Sequence, residues 1–112
     1  MKRGNLVLVA TPGDYGKPRP ALIIQSDLFQ EHPSVTLCLL SSHLRQTPLI
    51  RYEVEPSSDN GLSVTSQVQI DKLMTIPRQK IGEVIGRLSM KQMNEITRLL
   101  VLWIGVADET SN

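Results

Sequence analysis

The 112-residue chain is long enough for one domain with a single modest core. Its 12 Lys and Arg nearly cancel its 11 Asp and Glu, and the formal net charge of +1 excludes a disordered polyelectrolyte and an overall cationic coat for non-specific nucleic-acid binding. The lone Cys38 excludes a disulfide framework and a cysteine metal cage, and no run reaches the length of a membrane span or a signal-peptide core, so a soluble cytoplasmic domain with no membrane attachment is expected.

The first three-quarters of the chain is punctuated like a β protein. "NLVLVA" (5–10) runs into the Thr11-Pro12-Gly13 turn, "ALIIQ" (21–25) follows the Pro18–Pro20 turn, and "SVTLCLL" (34–40) follows His32-Pro33. Each is short, rich in Val, Ile and Leu, and bounded by breakers, as strands of a closed core are. Cys38 sits inside the third of them and reads as a small core hydrophobe. "IRYEVE" (50–55) alternates, with Ile50, Tyr52 and Val54 on one face and Arg51, Glu53 and Glu55 on the other, the pattern of a half-buried strand. "SSDNG" is turn chemistry in which Asn60-Gly61 suits a positive φ. A fifth strand is expected over 63–70, counting Val64, Val68 and Ile70 at even spacing, a short helical turn after Pro77, and a last strand within 82–89.

The period then changes. Ser89-Met90-Lys91-Gln92 has the form of a capping box, and Met93, Ile96, Leu100 and Trp103 or Ile104 recur at helical spacing until Gly105 supplies a stop. One helix over 90–104 follows, with a flexible tail at 107–112 after a single domain spanning 1–106. The expected fold is mainly β, a small barrel or strongly coiled sheet of about five to seven short antiparallel strands with a C-terminal helix. The apolar segment "LLVLWIGV" exceeds what one helix face needs, which points to a homodimer.

Phosphate-loop, zinc-protease, CxxC and serine-hydrolase motifs are all absent. The two histidines, His32 and His43, could form an acid–base pair, but nothing in their spacing forces them together. A second constellation lies at strand ends. Arg19, between Pro18 and Pro20, enters the second strand; Ser41 and Ser42 leave the third; Asp71 leaves the fifth. A guanidinium donates two parallel charge-assisted bonds to phosphate oxygens, a carboxylate takes the proton of a 2′-hydroxyl, and a serine hydroxyl holds a non-bridging oxygen. Taken singly, each residue equally suits an ordinary surface turn or strand-end charge pair.

From end to end the chain resembles the MazF/PemK (Kid-like) family of toxin endoribonucleases. The resemblance rests on "KRGNLVLVATPGDYGKPRPALIIQSDLF", on "SVTLCLLSS", and on "IDKLMTIPRQKIGEVIGRLSMKQMNEITRLLVLWIGV". It implies an SH3-like barrel with a terminal helix, a homodimer, and metal-independent, cofactor-free cleavage of single-stranded RNA to 2′,3′-cyclic phosphate and 5′-hydroxyl ends. It also implies inhibition by a cognate antitoxin whose disordered segment lies over the RNA groove. The family's strand-entry arginine falls on Arg19, its strand-end Thr or Ser on Ser41, and its acid on Asp71. RNA-binding candidates are Tyr15, Lys17, Ser42, His43, Arg45 and Gln69, the last standing where some members carry an arginine. Asp14 and His43 are further candidates for the acid and base roles. A different class shares the fold: CcdB-like toxins poison DNA gyrase without nuclease activity through a tryptophan–glycine–isoleucine chain end. "LWIGV" (102–106) has those letters in another order, and six residues follow it.

Overall fold

Continuous apolar runs belong to strands covered on both faces, and the three at the start of this chain are covered in that way. A computed structural model of the chain describes residues 1–10 and 17–105. Strands β1 (Asn5–Ala10), β2 (Pro18–Ile23), β3 (Ser34–Ser41), β4 (Arg51–Val54), β5 (Ser66–Pro77) and β6 (Ile81–Arg87) form one antiparallel sheet in the order β4-β5-β3-β2-β1-β6, and helix α1 (Met90–Trp103) closes the chain. On one face Leu6, Leu22, Cys38 and Leu40 join Val54, Val68 and Ile70 beneath α1, which buries Met93, Ile96 and Leu100 there. The alternate residues Val7, Val9, Ala21, Ile23, Val35 and Leu37 fill a second cluster, roofed by Leu39, Met74, Ile76 and Ile81. Each fully buried aliphatic side chain contributes about 1.5–3 kcal/mol relative to exposure.

The expected mainly-β fold with a C-terminal helix is therefore present. The sheet coils until its two edge strands meet through the loop after β4. Arg87 N–H donates to Asp59 O at 2.9 Å, while a Cβ on Gly86 would lie 2.3 Å from the Asn60 carbonyl carbon, so only glycine allows this approach. Gly61 turns the loop at φ 70°. Buried Asn60 braces it by accepting from Ser57 and Leu62 N–H (3.0 and 2.9 Å) and donating to Glu55 O (2.8 Å).

The helix begins as its sequence dictates. Ser89 Oγ accepts from Gln92 N–H (3.1 Å), Gln92 Oε1 accepts from Ser89 N–H (2.9 Å), and Gly105, at φ 83°, follows the last turn. Tyr52 donates to Glu95 at 2.6 Å, tying β4 to α1; burial, then the bond and charge of Glu95, push the phenol up to about 12.

Several boundaries differ from expectation. The second strand starts at Pro18 rather than Ala21, because its first half pairs with β1 (Val9↔Arg19). The fifth runs over Ser66–Pro77 rather than 63–70, since its second half pairs along β3, and Val64 lies outside it, 52 % exposed. Trp103 and Ile104 are 50 % and 62 % exposed, so the buried helical stripe ends at Leu100. The tail expected at 107–112 lies outside the described residues.

Candidate nucleic-acid interface

The site is built where the register between β3 and β5 breaks. Between Cys38↔Leu73 and Leu40↔Val68, β3 advances two residues while β5 advances five, so Leu39 alone spans Gln69–Lys72. Gln67 and Val68 pair with β3 on one side and β4 on the other, the β4 side ending with Arg51↔Gln69 in register and Ile70 N–H donating to Ile50 O; from Leu73 onward β5 pairs with β3 alone. Such a bulge bends the strand and re-aims its side chains. Asp71 therefore lies at this corner inside β5, not at the strand end where the sequence suggests it. It lines a cleft of about 640 Å³ with Ser41, His43, Arg45, Thr47, Ile50, Arg51, Gln69 and Lys72. Cys38 lies beneath; burial first, and the nearby Asp71 charge second, push its thiol up to about 12.

Arg19 lines a neighbouring cleft of about 350 Å³ with Lys17, Pro18, Pro20, Leu40, Ser42, Ser63, Val64 and Ser66. The prolines make the opening. Neither has an N–H to offer, and β2 pairs with β3 only from Ala21 onward, so in the sheet the Pro18–Pro20 stretch pairs with β1 and not with β3. Continuing the Ala21↔Leu39 register along both strands brings Arg19 level with Ser41. The two clefts meet at Ser41–Ser42, which contribute one residue each.

Ser41, His43, Arg45, Gln69 and Asp71 thus share one cleft, Lys17, Arg19 and Ser42 its neighbour, and Tyr15 and Asp14 fall outside the described residues. His32 does not join His43. Its Nδ1 accepts from Ser34 N–H (3.1 Å) and its carbonyl oxygen accepts from Arg78 Nε (2.9 Å), an arrangement that orders the turn before β3.

Two residues escape sequence reasoning. Gln67, 4 % exposed, holds the 42–46 loop: its Oε1 accepts from Arg45 N–H and its Nε2 donates to Arg45 O, both at 3.0 Å. At the other end of that loop, Ser41 Oγ accepts from His43 N–H at 3.1 Å. Arg51 reads as the solvent side of an alternating strand, yet it is half-buried in the Asp71 cleft. Its only sequence signal is a long cation on a short edge strand, which is too common to single it out.

A small coiled antiparallel sheet capped by one helix is the build of a known class of bacterial toxins. In solved structures the fold matches Mycobacterium tuberculosis toxin MazF-mt6 (TM-score 0.77, 24 % identity, 89 % of this chain and 95 % of that one). It also matches an endoribonuclease in complex with its cognate antitoxin from a mycobacterial species (TM-score 0.78, 23 % identity, 95 % and 96 %). In sequence the chain is 40 % identical over 108 residues to the probable endoribonuclease MazF of Mycolicibacterium smegmatis, covering 96 % of this chain and 99 % of that protein. Residues 2–104 match the family of PemK-like, MazF-like toxins of type II toxin–antitoxin systems, and the chain belongs to that family.

Proposed function

We propose that this protein is a toxin endoribonuclease that cuts single-stranded RNA by attack of a ribose 2′-oxygen on its own phosphodiester. The observation that carries the reading is the charge of the two joined clefts. Among the described residues, five of the chain's 12 Lys and Arg (Lys17, Arg19, Arg45, Arg51 and Lys72) line them, with one carboxylate, Asp71, in a protein of net charge +1. A polyanion is drawn to such a focus, and the carboxylate within it is placed to act as a base.

In this reading Asp71 takes the proton from the 2′-hydroxyl, the O2′–P bond forms, and the P–O5′ bond breaks. The products are a 2′,3′-cyclic phosphate and a 5′-hydroxyl. Arg19, its backbone preset by two prolines, stabilises the phosphorane charge with little ordering entropy left to lose. Ser41 donates to a phosphate oxygen, and His43, in the same cleft as Asp71, returns a proton to the departing O5′. All these roles are filled by side chains, which supports cleavage without a metal. Lys17, Ser42, Arg45 and Gln69 lie where flanking nucleotides would run, and unstacked bases are read by such loop donors.

The protein works as a homodimer in the cytoplasm, neutralised by an antitoxin segment that covers the clefts. The half-exposed Leu102, Trp103 and Ile104 at the end of α1 support association with a second copy. Antitoxin-bound relatives of the same fold support the inhibitor. Among the described residues no helix is long and apolar enough to cross a membrane.

Purified protein is expected to cut mixed-sequence RNA in the presence of EDTA and leave 5′-hydroxyl ends. Arg19→Ala and Asp71→Asn should each lower the rate by about a hundredfold or more while the fold survives. RNA left uncut alongside inhibited DNA supercoiling would replace this reading with gyrase poisoning, and wild-type cutting by either variant would remove that residue from the chemistry.

A further inference from the structure

The Asp71 cleft holds polar atoms with no hydrogen-bond partner among the described residues. They are Nε and Nη1 of Arg51 and Oδ1 of Asp71, and all three atoms are buried. Leaving one buried donor or acceptor unpaired costs about 1–3 kcal/mol, and more for a charged group. Two donors and an acceptor left so in one cleft therefore need an explanation. Local neighbours do not provide one. Glu53, two residues along β4, accepts from Gln67 Nε2 at 3.3 Å, and Gln69, level with Arg51, donates to Leu39 O at 3.4 Å. Nor is Arg51 a simple counter-ion, since neither of these two nitrogens bonds Asp71 Oδ1 although both residues line the same cleft.

A ligand that satisfies both sides must present a donor to the carboxylate and an anionic acceptor to the guanidinium, a few ångströms apart. A ribonucleotide 3′-phosphodiester does this, with its 2′-hydroxyl beside the non-bridging phosphate oxygens. Accordingly, and resting on the nuclease reading above, we propose that Arg51 is a second catalytic arginine, whose guanidinium takes a non-bridging oxygen of the scissile phosphodiester while Asp71 Oδ1 receives the 2′-hydroxyl. Arg51 transfers no proton. It carries part of the negative charge that gathers on the phosphorane as O2′–P forms and P–O5′ breaks, from the β4 side of the cleft, while Arg19 acts from the β2 side. The same pairing favours RNA over DNA at the cut position, because a deoxyribose leaves Asp71 Oδ1 unpartnered.

The test uses Arg51→Met, which keeps the apolar stem, and Arg51→Lys, which keeps the charge but loses the fork. Both act on an oligoribonucleotide carrying the mapped cut site, made with Rp or Sp phosphorothioate at the scissile position. The wild type should cut one diastereomer roughly tenfold or more slowly, because sulfur spoils the oxygen that Arg51 holds. In Arg51→Met, kcat should fall by about a hundredfold or more and that stereospecific penalty should disappear, with Arg51→Lys in between. Loss of the penalty is the deciding readout, because a merely structural residue lowers the rate without changing which oxygen matters. The proposal is overturned if both variants cut within about twofold of wild type, or if they keep the wild-type penalty. It is also overturned if light scattering shows that Arg51→Met loses activity by changing oligomeric state. Wild type that cuts no RNA brings down the nuclease reading and this inference together; wild type that cuts, with Arg51 indifferent, brings down this inference alone.

Discussion

Replacing Gln67 by leucine should separate stability from activity. The wild-type amide is buried, accepts from Arg45 N–H and donates to Arg45 O, both at 3.0 Å, with a longer contact to Glu53 at 3.3 Å. The two neutral hydrogen bonds are worth about 1–3 kcal/mol net in total, and the long bond to the exposed Glu53 carboxylate, which water can replace, adds about 0.5–1 kcal/mol. Arg45 is exposed, so its freed backbone groups can turn to water and leave nothing buried and unpaired. Against that loss, a leucine in the same buried volume gains about 1.5–3 kcal/mol of burial. The terms nearly cancel, and the urea midpoint of Gln67→Leu should stay within about 1 kcal/mol of wild type. The 42–46 loop, however, loses its tether. Hydrogen exchange at the Arg45 amide should speed up by roughly tenfold or more, the factor that corresponds to 1.4 kcal/mol. RNA cleavage should fall by a similar factor, because His43 and Arg45 are no longer held against the Asp71 cleft. Unchanged Arg45 exchange would show that Gln67 does not hold the loop. Free exchange with wild-type cleavage would show that the loop's order is irrelevant to the chemistry.

Other consequences are as direct. Gly86→Ala should cost about 3 kcal/mol or more, because the new methyl meets Asn60 and Asp59 backbone atoms at 2.3–2.5 Å with no flexible side chain to yield; a melting temperature within about 2 °C of wild type would mean that the sheet does not close through this loop. Ser89→Ala removes the Gln92 N–H bond and half of the capping box, and should lower stability by about 1 kcal/mol with an unchanged denaturant slope. The Cys38 thiol should resist a disulfide reagent in the native protein at mildly alkaline pH. Its raised value means that the folded state holds this proton more tightly than the unfolded chain does. The resulting stability is fully present below the ordinary thiol value near 9 and is lost as pH climbs toward about 12. A Cys38→Ala variant should lack that alkaline component in its stability–pH profile, and an identical profile would refute it.

The helix was legible in the sequence because its signals are local. Ser89 and Gln92 are three residues apart and carry their cap wherever the helix docks, and Met93, Ile96 and Leu100 mark its buried stripe by spacing alone. The three opening strands were legible for the same reason, as unbroken apolar runs between breakers. Register, however, depends on which strands lie side by side, which local composition does not encode. It decided that β5 continues past Asp71 to Pro77, that the break in its register with β3 leaves Gln69–Lys72 opposite Leu39, and that Asp71 projects from a bulge rather than from a strand end. It also put Arg19 in a cleft beside that of Asp71 and drew Arg51, an outward residue by alternation, into the cleft with it. The sequence by itself determined which segments are strands and helix and which residue types were available for phosphate chemistry. Only the tertiary structure decided which of those residues meet, because a shift of a few residues in pairing moves a side chain to another face, and the energy that selects the pairing comes from contacts made across the whole sheet.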